Sequence, residues 1–194
     1  MTDTRGAALI DMIVAVALCF ILAAIAVPVV GGTLDRERII VGTQYLAGQL
    51  QRARLESLRR AQAVAVRIEI IGDRTQFRLY ADANGNGVLQ KDIDKGTDPP
   101  LTPGEWLDDQ ARDISLRINQ AVTDVNGSAT LAPGEDPLRI GSSALLTFSP
   151  LGTATSGTLY VAAHRGPQMA IRILGATGRV RVLMFNAQAR QWRP

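Results

Sequence analysis

The chain is short of the residues that build covalent and metal staples. One cysteine and one histidine in 194 residues exclude an internal disulfide framework and leave no zinc site that this chain completes alone. Charge of one sign is not in excess either. Twenty-one basic residues face 18 acidic ones, a formal +3, too little for a protein that coats nucleic acid. Lysine is confined to Lys91 and Lys95. The catalytic signatures are missing as well: there is no G-x-S-x-G elbow, no H-E-x-x-H pair and no G-x-x-x-x-G-K-[ST] loop. His164, beside Arg165, is expected in a strand-end turn, and Glu105, Asp108, Asp109 and Asp113 read as loop acids without a defined partner in the sequence. An enzyme is not expected. What remains, 46% hydrophobic and 20% charged residues, is an ordinary globular composition, and the length suits one domain plus an appendage.

The apolar residues are front-loaded. Residues 12–30, MIVAVALCFILAAIAVPVV, contain no charge and are closed by Gly31-Gly32. As a helix they extend about 28 Å, which reads as a membrane span across a core of ~30 Å. A secretory signal would cut at Ala24 and Ala26, but its leader should be clearly basic, and here Asp3 offsets Arg5. A lipoprotein signal needs a small residue before Cys19, where Leu18 stands; Cys19 reads as an inert apolar side chain. A plain signal anchor has no use for Asp11, since a carboxylate in an apolar segment costs about 2.5–3.5 kcal/mol at mid-helix and usually has a partner.

Arg5-Gly6-Ala7-Ala8-Leu9-Ile10-Asp11-Met12, followed by the apolar helix and Pro28, resembles a type IV prepilin or pseudopilin N-terminus. The resemblance implies that a prepilin peptidase cuts after Gly6, methylates the new amine of Ala7 and leaves the helix attached. Asp11 falls at the fifth mature position, where the family places a glutamate, and Pro28 at the twenty-second, where it commonly has a proline. Ala7 departs from the usual Phe. The implied role of Asp11 is to neutralise the Ala7 amine of a neighbouring subunit. In low dielectric an unpaired charge costs more than a paired one, so the pairing sets register.

Residues 33–62 read as an amphipathic continuation of the helix, with Ile39, Leu46, Leu50 and Ala53 as its stripe and Arg52, Arg54, Arg59 and Arg60 along its C-terminal half. After Gln62 the period drops to two. Val64, Val66, Ile68 and Ile70 alternate as a strand, Gly72-Asp73 turns, and residues 76–80 pair back. Residues 82–105 read as a long surface loop. A strand is expected within 112–122, then a Gly/Pro-rich stretch to about 137, then strands near 144–149, 157–163, 168–174 and 179–185. The expected fold class is α+β, a long N-terminal transmembrane and amphipathic helix followed by a mostly antiparallel β-sandwich head. The boundaries are leader 1–6, span 7–30, continuation 31–62 and periplasmic head 63–194.

The order LLTFSPLGTATSGTLYVAA, then MAIRILGATGRVRV, is similar to the C-terminal half of the GspH/FimT minor pseudopilins, which end in a comparable Thr-Gly-Arg hairpin, here Thr177-Gly178-Arg179. That resemblance implies a pilin-like, non-enzymatic subunit of a type II secretion pseudopilus, anchored in the bacterial inner membrane. Its partners would be the prepilin peptidase, the major and other minor pseudopilins and the inner-membrane assembly platform. The alternative is a minor pilin of a type IV pilus that binds DNA during uptake. Two further constellations stand out. Asp82, Asn84 and Asn86 alternate before Gly87, with Asp92 and Asp94 downstream, as in the first half of a calcium loop. Ile93 holds the twelfth position, and an Asx/Gly turn explains the same residues. Arg179, Arg181, Arg190 and Arg193 with Trp192 would suit DNA phosphates and stacking. An edge strand with solvent-facing arginines and a packed Trp192 is the competing explanation.

Overall fold

The computed structural model describes residues 4–127, 129–141, 143–163 and 166–194, with the side chains of 4–10 and 25–32 outside the description. His164 lies outside it, as do residues 1–3 of the expected leader. The fold is α+β, and every strand pairing is antiparallel. Helix α1 is Thr4–Arg60. By compactness the chain divides into Met1–Asp35 and Arg36–Pro194.

In the first unit the described side chains of residues 11–24 are all exposed. Among the described residues no helix is long and apolar enough to cross a membrane, and the expected span, residues 7–30, runs partly through residues whose side chains lie outside the description.

In the second unit α1 buries the stripe expected of it: Ile39, Leu46, Leu50 and Ala53 have no solvent exposure. They share one core with two sheets. The first sheet has the order β3-β2-β1-β8, from β1 (Val64–Ile71), β2 (Arg74–Ala81), β3 (Glu105–Trp106) and β8 (Leu145–Phe148). The second has the order β12-β11-β10-β9-β4, from β4 (Ile114–Leu116), β9 (Gly157–Ala163), β10 (Met169–Leu174), β11 (Arg179–Asn186) and β12 (Gln191–Arg193), with β7 (Leu138–Ile140) also pairing β9. The hairpin register Ile71↔Arg74 leaves the two-residue loop Gly72-Asp73, with Gly72 at φ 62° as tight hairpins require. Ile70 departs from expectation and is exposed, because β1 overruns its cover.

Three segments depart more widely. The loop after Ala81 contains α2 (Gln90–Asp94), and α3 (Leu107–Gln110) follows β3. The strand expected within 112–122 is only three residues long. Asp113 takes φ 64°, and past Leu116 the chain is tied instead by the buried Gln168. That side chain accepts from Asn119 N–H (3.0 Å) and donates to Arg117 O (3.0 Å) and Val161 O (2.9 Å). The Gly/Pro-rich stretch contributes the pair β5 (Val122–Thr123) and β6 (Thr130–Leu131). Val122 and Leu131 join Ile118, Tyr160, Ala170 and Phe185 in a second core. Apolar cover on both faces explains why all seven residues of β9 are buried, a pattern more usual in parallel sheets.

Candidate functional site

Asp11 is exposed and opens a run of exposed apolar side chains, among them Met12 (70%), Phe20 (72%) and Leu22 (67%). A helix that is apolar all round is ordinarily buried. Covering Met12, Ile13, Val14, Val16, Leu18, Phe20, Ile21 and Leu22 would release on the order of 10 kcal/mol at ~1.5–3 kcal/mol per fully buried side chain. Gly6 and Ala7 lie within α1, as does Pro28, but nothing is described of their surroundings. Proline inside a helix withholds one N–H, here the bond to Ala24 O. Cys19 is free and exposed.

The loop after β2 is organised by aspartates. Asp82, buried, accepts backbone N–H groups from Asn84 (3.2 Å), Gly85 (2.8 Å) and Gly87 (2.8 Å), using both oxygens. Asp92 Oδ2 accepts the side-chain amides of Asn86 (3.1 Å) and Asn84 (3.5 Å). The structure therefore gathers Asp82, Asn84, Asn86 and Asp92. Asp94 is engaged elsewhere, by Arg67 (3.2 Å) and Gln90 (2.9 Å). Asp98, absent from the sequence reading, is fully buried and accepts from Ala83 N–H (3.2 Å) and Leu89 N–H (3.3 Å). Its only sequence signal is a lone acid before Pro99-Pro100. Among the described residues no group of three or more His, Cys, Asp or Glu is placed to hold a metal ion.

The C-terminal arginines are divided between two faces of their sheet. Val180, Val182 and Met184 pack on the main core, so Arg179 and Arg181 alternate to the opposite, exposed side. Arg193 pairs with Met184 and shares its face. Arg190 lies in the β11–β12 turn at φ 50°. Trp192 packs on Tyr160 (5.7 Å between ring centroids) and Phe185 (5.1 Å), and its indole N–H donates to Thr123 O at 2.6 Å. The Tyr160 hydroxyl donates to Asp124 (2.8 Å) and accepts from Val125 N–H (3.1 Å). Burial pushes its pKa well above the ordinary tyrosine value, with the Asp124 bond adding to the rise and the Val125 bond opposing it. On the other sheet Arg74 stacks over Trp106 at 4.2 Å and pairs with Asp108 (2.6 Å) and Asp109 (2.9 Å). The Arg74 pKa is raised, chiefly by the Asp108 hydrogen bond.

No family model, no curated protein and no solved structure matches the chain.

Proposed function

We propose that this chain is a minor pseudopilin of the GspH/FimT kind, an inner-membrane subunit that enters a type II secretion pseudopilus through its N-terminal helix. The observation that carries the proposal is the juxtaposition on α1 of an exposed carboxylate, Asp11, with an apolar surface that nothing in residues 11–24 covers. A helix of this kind needs lipid or other helices around it. A carboxylate at its start then needs a cation, and the Ala7 amine released by cleavage after Gly6 supplies one from a neighbouring subunit. Membrane residence rests on the charge-free sequence 12–30. In this reading the head is pilin-like, a β-sandwich with the C-terminal part of α1 packed into it and the hairpin Thr177-Gly178-Arg179 joining β10 to β11 of the second sheet. The proposal puts the head in the periplasm. The DNA-binding alternative is less favoured, since Arg193 shares the face of Met184, opposite Arg179 and Arg181, and the Trp192 ring is engaged.

The test is a clean deletion in the native host, comparing released proteins with surface pili and DNA uptake. Lost secretion with intact pili is the expected result. Intact secretion with lost pili or uptake would move the chain to a type IV pilus. Mass spectrometry of the mature protein should show N-methylated Ala7 as the first residue, and a start at Val27 would make it a secreted protein instead.

A further inference from the structure

The second sheet ends at β12, and the open side of that strand has a defined hydrogen-bonding pattern. Phe185 donates its N–H to Gln168 O, on the β10 side, at 2.9 Å. Alternate residues of a strand bond in opposite directions, so Met184 and Asn186 face β12, where they pair with Arg193 and Gln191. Trp192 lies between those two and turns its backbone N–H and C=O outward. Its ring is held by Tyr160, Phe185 and Thr123, so the outward groups sit on a fixed residue. Among the described residues no strand pairs with this side of β12.

On the Arg193 face of the same edge lies a groove of about 550 Å³. Its apolar lining comes from Ile40 of α1, Met169 of β10, and Val182 and Met184 of β11. Two guanidinium groups line it as well, Arg36 from α1 and Arg193 from β12. Neither has a carboxylate partner among the described residues. Methionines give such a floor adaptable packing. Two uncompensated cations beside it select an anionic group, with carboxylate matching the guanidinium fork.

The geometry points to a docking site for an extended segment of another polypeptide. That segment adds as a strand outside β12 and carries an acidic side chain beside an apolar one on its groove-facing side. The backbone pairs with Trp192, the apolar side chain covers Met184 and Ile40, and the carboxylate meets Arg36 and Arg193. This is strand addition, in which main-chain bonds supply affinity and a neighbouring pocket supplies specificity. The open edge favours polypeptide over other anions, since only a peptide backbone satisfies the Trp192 N–H and C=O together. The site stands apart from the assembly role of α1 and does not depend on it.

The experiment places the photo-cross-linker p-benzoyl-phenylalanine at Gln191 of the full chain in its native host and maps the cross-linked peptide by mass spectrometry. The expected product is a peptide with an acidic residue two positions from an apolar one, the spacing that puts both on one side of a strand, from a second copy or from another protein. Arg36→Glu with Arg193→Glu should cut its yield about tenfold, the effect of losing roughly 1.4 kcal/mol. Arg181→Glu, on the opposite face, should leave the yield unchanged. Thermal melts of each variant separate loss of fold from loss of partner. No cross-link, a cross-link to nucleic acid, or a yield indifferent to the groove charges would overturn the proposal. The pseudopilin assignment is read separately: a charge-dependent cross-link in a chain whose deletion spares secretion keeps the groove and removes the assignment.

Discussion

Tyr160 is the residue whose surroundings have the clearest consequence in solution. Its folded pKa lies above the unfolded value of ~10, so the folded state holds the phenolic proton more tightly. The stability it contributes is complete below pH ~10 and is lost as pH rises through the folded pKa. Thermal melts from pH 8 to 11 should therefore show a falling alkaline limb that Tyr160→Phe flattens. At neutral pH the same substitution should cost about 1–2 kcal/mol, through the lost bonds to Asp124 and Val125. Gly157 tests packing at the same scale. A Cβ there would run into the Ile140 side chain and the Arg139 carbonyl, where β7 meets β9. Gly157→Ala should destabilise the fold by about 1–3 kcal/mol, measured by denaturant titration.

Among elements, α1 and the aspartate loop carry contrasting lessons. The 3.6-residue stripe of α1 was legible because burial of one face follows directly from periodicity. Leu50→Ala should cost about 2–5 kcal/mol in chemical denaturation, whereas Leu55→Ala on the exposed face should stay within about 0.5 kcal/mol. The loop at 82–98 was legible only as a set of oxygen donors. Its fold commits both Asp82 oxygens to three backbone amides and adds Asp98, which no spacing rule predicts. Asp82→Ala should lower stability by about 2–3 kcal/mol, and exposed Asp94→Ala by at most ~1 kcal/mol. Calorimetry with millimolar calcium is expected to show no binding heat. A calcium-dependent rise in melting temperature would establish the metal site.

At the scale of the whole molecule, the proposed function makes Asp11 the residue on which assembly turns. Asp11→Ala should reduce incorporation into filaments at least tenfold without lowering the melting temperature, because Asp11 is exposed. Normal incorporation would remove it from the mechanism. The reach of the sequence has a physical pattern. Local signals were enough for helix α1, the β1–β2 hairpin and the strands near 145–148, 157–163, 169–174 and 179–186, since each depends on periodicity and turn chemistry within one segment. The N-terminal motif, with Gly6, Ala7, Asp11 and Pro28, is likewise a property of the sequence alone. The tertiary structure decided what depends on distant partners. It folds the Gly/Pro-rich stretch over Tyr160, packs Trp192, and separates Arg193 from Arg179 and Arg181. It also sets Arg36 and Arg193 beside one groove. Strand β12 was missed because three residues carry no readable period, and their place is fixed by β11 and the ring contacts of Trp192 rather than by their own propensity.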